Sequence, residues 1–138
     1  IQRLANDIEV GSDAVVSAVE PTDVEPYISL EHKYWEAFRN NTPKKGRAAI
    51  SPIAVAATLL ALWKMHSKRD FPVNIALISK VLKGINVDTK NEKRSLNNSD
   101  WLKLRQDGEV VIIPDNMKMA RAMAKAFCTK QPIQGTNV

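Results

Sequence analysis

The longest apolar stretch of the chain runs from residue 52 to residue 63 and is interrupted only by Thr58. It begins at Ser51 and Pro52, where a serine can cap free helical amides and a proline loses no hydrogen bond at the first helical position. A helix is therefore predicted from Pro52 to about His66. Because its apolar residues cover nearly every side, we expect it to be the central helix of the core.

Apolar residues also recur at helical spacing elsewhere in the chain. This pattern predicts five further helices, at residues 1–8, 14–20, 29–40, 73–82 and 115–127. Ser29 and Asp115 are the expected N-caps of the helices that they open, and Gly84 is expected to stop the helix before it. The last helix carries Met119, Met123 and Phe127 on one face, which we expect to pack on the core.

The pattern is mixed between residues 85 and 113. β-Branched runs predict short strands at 85–87 and 109–113, and polar residues 98–100 are expected to cap a short helix at 101–106. The order of helix, turn, helix, basic loop, short helix and strand resembles a winged-helix or helix-turn-helix centre in outline. A plain helical bundle is the alternative. The expected fold is mainly α, a compact helical domain with a winged-helix-like centre and a small two- or three-stranded sheet.

Charge is divided unevenly along the 138 residues, a length that fits one domain. Residues 1–32 carry one basic and seven acidic residues, whereas residues 33–138 carry nineteen basic and eight acidic ones, and the formal net charge is +5. A basic body of this kind is typical of proteins that bind a polyanion, most often nucleic acid. A solvated basic surface without a partner is the alternative.

Thirteen basic residues lie between Lys44 and Arg105. If the chain binds DNA or RNA, the 101–106 helix is the expected recognition element, and the 73–84 helix is the alternative. Trp101 either stacks on a base or anchors its helix to the body. The predicted contacts are Lys44, Lys45, Arg47, Lys68, Arg69, Lys90, Lys93, Arg94, Trp101, Lys103 and Arg105, with Lys103 and Arg105 nearest the bases.

The acidic residues 1–26 form a predicted arm, partly mobile, ahead of a helical domain at 27–128 and a disordered tail at 129–138. We expect this arm to shield the basic surface of its own molecule or to join copies into a homo-oligomer. The second possibility defines an alternative function, a protein-interaction or assembly module of the capsid, adaptor or immunity type. In that alternative, the arm docks on a basic face of a neighbour, and Trp35 with the methionine face forms the interface.

Sequence signatures of catalysis are missing. The chain has no glycine-rich phosphate loop and no Gly-x-Ser-x-Gly, and His32 with Glu36 is too small a set for a metal site. Cys128, the one cysteine, is expected to be an idle thiol of a reducing compartment. The expectation is a non-enzymatic chain without cofactor, metal or membrane association, in the cytoplasm, nucleoid or nucleus. A metal-free nuclease with His32 or His66 beside a basic residue is the enzymatic alternative, and the initial Ile1 indicates a fragment or a processed product.

Overall fold

A helix that is buried on nearly every side organises the fold. The computed structural model describes residues 1–43, 45–46 and 49–133. In chain order its elements are α1 (Gln2–Asp7), α2 (Ser12–Val19), α3 (His32–Asn41), α4 (Pro52–Ser67), α5 (Ile75–Lys83), α6 (Glu92–Asn97), β1 (Leu102–Leu104), β2 (Val110–Ile112), a 3₁₀ turn (Pro114–Asn116) and α7 (Met117–Thr129). The two strands pair antiparallel, with Lys103 opposite Val111. The predicted mainly α fold with a small sheet is confirmed.

Helix α4 begins where the sequence predicts. The Ala54 amide donates a hydrogen bond to Ser51 Oγ at 3.1 Å, and Pro52 occupies the first helical turn. Ten of the sixteen residues of α4 are buried, and the helix packs against α1, α5, α6, α7 and β2. None of the described helices is long and apolar enough to cross a bilayer.

The acidic N-terminal residues contribute to the same core. Helix α1 packs against α4 and α2, and α2 packs against α7. Leu4, Ile8, Val15 and Val19 are all buried. The two predicted helices of this segment are therefore confirmed, whereas the boundary at residue 26 and the partial mobility of the arm stay predictions. Of the predicted tail, Thr129 still belongs to α7, and residues 134–138 lie outside the described part.

Helix α3 begins three residues later than Ser29, its predicted cap. Its N-cap is Glu31, whose carboxylate accepts hydrogen bonds from the amides of Lys33 at 2.8 Å and Tyr34 at 3.1 Å. The Ser29 amide donates to the Val19 carbonyl at 2.8 Å and the Glu31 amide donates to the Ala18 carbonyl at 2.9 Å, so this stretch is tied to the end of α2 before the helix begins. Ser29 is a favourable cap by residue type, but Glu31 supplies the cap.

Three assignments in the centre of the chain are wrong. Residues 101–106 do not form a helix, because β1 pairs with β2 in a hairpin that turns at Gly108, where φ is 89°. Residues 85–87 do not form a strand but close the end of α5, with the Val87 amide donating to the Leu82 carbonyl at 3.0 Å. Residues 90–94, which form the basic loop in the predicted order of elements, are partly helical, because α6 begins at Glu92. The winged-helix-like centre with these assignments is therefore not confirmed.

Trp101 joins the hairpin to the central helix. Its ring is 7% exposed, and its Nε1 donates a hydrogen bond to Thr58 Oγ1 at 2.8 Å. The Thr58 hydroxyl in turn donates to the Ala54 carbonyl at 2.6 Å. Thr58, the one polar interruption of the apolar stretch, is therefore the acceptor that lets a tryptophan nitrogen be buried without losing its hydrogen bond.

We predict that Thr58→Val destabilises the fold through Trp101. The substitution leaves the buried indole N–H without an acceptor, which costs about 1–3 kcal/mol. In a Trp101→Phe background this donor is gone, so the same substitution should destabilise the fold by at least about 1 kcal/mol less. Urea unfolding of the four chains, followed by circular dichroism, measures the difference. Equal costs in both backgrounds would contradict the role given to Thr58.

We predict that Cys128 resists alkylation in the folded chain. The side chain is 3% exposed, and burial raises the pKa of its thiol from 9.0 to about 12. At a pH of about 8 a maleimide should label it only after unfolding in urea, because the thiolate is the nucleophile. Because the pKa of the thiol is higher in the folded chain than in the unfolded chain, burial of the neutral thiol stabilises the fold fully below pH 9.0. This stabilisation is lost as the pH rises towards about 12. Cys128→Ala should remove this loss.

Candidate nucleic-acid interface

The predicted contact residues fall into four groups. Lys44 and Arg47 lie outside the described residues. Trp101 is buried, so its ring is not available to stack on a base. Arg69 and Arg105 are exposed but have carboxylate partners, Asp23 for Arg69 and both Asp107 and Glu109 for Arg105. The described residues supply no carboxylate partner for the exposed remainder, Lys45, Lys68, Lys90, Lys93, Arg94 and Lys103.

Carboxylates of the acidic arm, residues 1–26, pair with cations of the same molecule. Asp23 forms two hydrogen bonds with the guanidinium of Arg69, at 3.0 and 2.7 Å, where the chain leaves α4. Glu25 accepts from Lys80 Nζ on α5 at 2.7 Å. All four of these side chains are more than half exposed, so solvent and salt screen the pairs strongly.

A second group of arm carboxylates pairs with basic side chains of α7. Asp7 lies between two helices: its carboxylate contacts Arg121 Nε of α7 and His66 Nε2 of α4, each at 2.8 Å. Glu9 lies 3.6 Å from Lys125 Nζ on the same face of α7. The Asp7 and His66 side chains are only 18% exposed, so their contact is much better shielded from water than the Arg69 and Lys80 pairs. The arm thus engages Arg121 and Lys125 of α7, whereas Lys118 of the same helix is exposed.

Helix α6 presents an uninterrupted polar face to solvent. Leu96 points into the core and is fully buried, whereas Lys93, Arg94, Asn97 and Asn98 are exposed. Lys93, Arg94 and Asn97 lie in α6 and Asn98 is its C-cap, and their i, i+1, i+4 and i+5 spacing places all four on one side of this helical stretch. Across the described residues, no side-chain hydrogen bond or ion pair engages any of the four. Their donors are free to bind an external acceptor.

The end of α5 and the residues before α6 each add one cation, and only one of the two was predicted as a contact. A shallow cleft of about 270 Å³ lies between α5 and residues 87–90 and is lined by Ser79, Lys83, Val87, Asp88, Thr89 and Lys90. Lys83 was not among the predicted contacts, although it is exposed and shares this cleft with Lys90. The sequence could have identified Lys83, because it lies outside the apolar residues of its own helix, α5. Asp88 is the one carboxylate of the cleft.

Strand β1 carries a further cation next to α6, against which it packs. Lys103 is exposed at the middle of β1. The hairpin then turns through residues 105–108, where the Arg105 amide donates to the Glu109 carbonyl at 2.8 Å and Asp107 accepts from the Glu109 amide at 3.0 Å. We call Lys83, Lys90, Lys93, Arg94 and Lys103 the central basic face, because neighbouring elements carry them and the described carboxylates pair with none of them.

The side chains considered for catalysis do not come together. His32 contacts Glu36 at 2.8 Å on the exposed side of α3, and His66 is engaged by Asp7 across from it in α1. Cys128 is in the core with a raised pKa. Nowhere in the described part of the chain do three or more histidine, cysteine, aspartate or glutamate side chains cluster as metal ligands.

The side chains named for the assembly alternative are largely inside the molecule. Trp35 is 6% exposed and lies under the Arg39 guanidinium, which is 5.4 Å from the ring centre. Met123 is fully buried, and Met119 is partly buried on the same face of α7. These residues therefore pack the interior of one chain.

Comparison with known proteins adds no relative. No protein-family model matches the chain, and no curated protein and no solved structure is significantly similar to it.

Proposed function

We propose that this chain binds nucleic acid through the central basic face. The observation that carries the proposal is that Lys83, Lys90, Lys93, Arg94 and Lys103 lie on successive elements and have no carboxylate partner within the described residues, whereas the arm pairs with Arg69, Lys80, Arg121 and Lys125. Lys33, Lys68 and Lys118 also have no such partner, but they lie in α3, at the end of α4 and in α7. Unpaired cations on adjoining elements are suited to phosphates, because each one that neutralises a phosphate releases condensed counterions.

The chain path through this face supports a revised winged-helix interpretation. Helix α4 is followed by residues 71–73, which belong to no helix or strand, then by α5, α6 and the β1–β2 hairpin. The Val110 amide of β2 donates to the Val73 carbonyl at 2.7 Å, so one backbone hydrogen bond joins these residues to the hairpin. In a winged helix, the second helix of the helix-turn-helix pair is the recognition helix and the hairpin is the wing. We assign these roles to α6 and to residues 105–108.

The acidic arm limits how much of the surface is available in this proposal. Asp23 and Glu25 pair with Arg69 and Lys80, and Lys80 lies on α5, the helix that ends at Lys83 of the central basic face. Each exposed pair is worth about 0–1 kcal/mol, so a phosphate can displace either carboxylate without unfolding the arm. The arm therefore acts as a weak competitor for nucleic acid and is not primarily a docking device for a neighbour.

We predict that Lys90→Ala with Lys103→Ala weakens nucleic-acid binding and makes it less dependent on salt. Removing two phosphate contacts should lower the slope of log K against log salt by about 2. The matched control is Lys33→Ala with Lys118→Ala, which removes two exposed cations from α3 and α7. Fluorescence anisotropy with a labelled duplex and a labelled single strand, titrated at several salt concentrations, gives the slopes.

The control pair should leave the slope nearly unchanged. If both double variants reduce affinity and slope equally, the binding energy comes from overall charge and the central basic face has no special role. Failure of the unmodified chain to bind either probe at low salt would overturn the proposed function itself.

We predict that Asp23→Asn with Glu25→Gln raises the affinity for nucleic acid. The substitutions release Arg69 and Lys80 and should increase the salt slope by about 1–2. Asp13→Asn with Glu20→Gln is the control, because it removes the same charge from exposed arm residues that pair with none of the described cations. Equal gains from the two variants would show an effect of net charge alone. A sizing column run on each variant tests the assembly alternative, which requires loss of an oligomer.

A further inference from the structure

We infer that the nucleic acid is duplex DNA in the B form and that α6 lies in its major groove. This inference rests on the proposed function and narrows it to one class of ligand. It depends on three observations: the chemistry of the exposed side of α6, the burial of the aromatic side chains, and the size of α6 with its flanking hairpin.

The exposed side of α6 has the composition of a base-reading surface. Arginine and lysine donate to O6 and N7 of guanine, and asparagine pairs with N6 and N7 of adenine. Lys93, Arg94, Asn97 and Asn98 are these residue types on one side of one helix, and all four are exposed. Cations alone would serve the phosphate backbone, but two adjacent asparagines add neither charge nor apolar contact. Their amides are useful where base edges can be reached.

The aromatic side chains argue against a single strand. Proteins that bind single-stranded DNA or RNA stack its bases on exposed aromatic rings. All eight aromatic residues of the chain lie within the described part, and none is exposed. The two that are not fully buried are engaged: Tyr27 stacks on Phe71 at 4.0 Å between ring centres, and Tyr34 stacks on Phe127 at 6.5 Å. No ring is available as a stacking platform.

Groove geometry separates DNA from RNA. The major groove of B-form DNA is wide enough to admit a helix, whereas the major groove of an A-form duplex is deep and narrow and excludes side chains on a helix. The six residues of α6 are about 9 Å long, enough to lie along about three base pairs. Lys83 and Lys90 share the cleft beside the residues that precede α6, and Lys103 lies on β1, which packs against α6; we assign these three cations to phosphates that border the groove.

Three probes of one mixed sequence test the inference with the full chain: duplex DNA, the single DNA strand and duplex RNA, each fluorescein-labelled and about 20 units long. We expect duplex DNA to bind at least about tenfold more tightly than the other two at equal salt, because only B-form DNA admits α6 in its major groove. Equal or tighter binding of the single strand or of duplex RNA would overturn the inference while leaving nucleic-acid binding intact. Binding of none of the probes would overturn the proposed function as well.

A second measurement locates α6 in the groove. Methylation of guanine N7 in the duplex blocks an acceptor of the major groove, so it should weaken binding of the unmodified chain by several fold. Arg94→Ala should lose most of that sensitivity, whereas the control Arg39→Ala, on the exposed side of α3, should keep it. If methylation has no effect on the unmodified chain, α6 does not lie in the major groove.

Discussion

The burial of α4 on nearly every side is the constraint on which the rest of the structure depends. A helix that is apolar all round must be covered by other elements, and here α1, α5, α6, α7 and β2 provide that cover. Its single buried polar side chain, Thr58, is placed where the indole of Trp101 needs an acceptor. The orientation of the hairpin, and of the face that α6 and β1 present, therefore follows from the central helix.

The division of charge along the sequence has a different meaning in space. Acidic and basic residues that are far apart in the chain are neighbours in the fold, as Asp7 is to Arg121 and Glu25 is to Lys80. The arm pairs with Arg69, Lys80, Arg121 and Lys125, and within the described residues it pairs with none of the cations of the central basic face. A sequence that looks like a basic body with an acidic appendage thus folds so that the appendage contacts one part of the basic surface and leaves the central basic face accessible.

Sequence reasoning identified the elements whose signals are local. Ser51 and Pro52 start α4 as expected, and the β-branched run at 110–112 forms β2. It misassigned residues 101–106, because their strand depends on a partner eight residues away and on Gly108 in the turn. Six of the predicted contact residues are exposed and have no carboxylate partner among the described residues. Their exposure could be predicted, because lysine and arginine side chains lie mostly at the surface. Their partners could not be predicted, because each ion pair of the arm joins residues more than forty positions apart.

The contacts of the arm with the last helix have a consequence for the order in which the chain can fold. Helix α2 packs on α7, and Asp7 reaches Arg121, so the first helices complete their burial only against the last one. Such distant contacts form late, because the loop between them must close first. During synthesis, the apolar sides of α1 and α2 and the carboxylates of the arm gain their full set of contacts only after α7 has left the ribosome. The arm is therefore made before α7 but is secured only once α7 is in place.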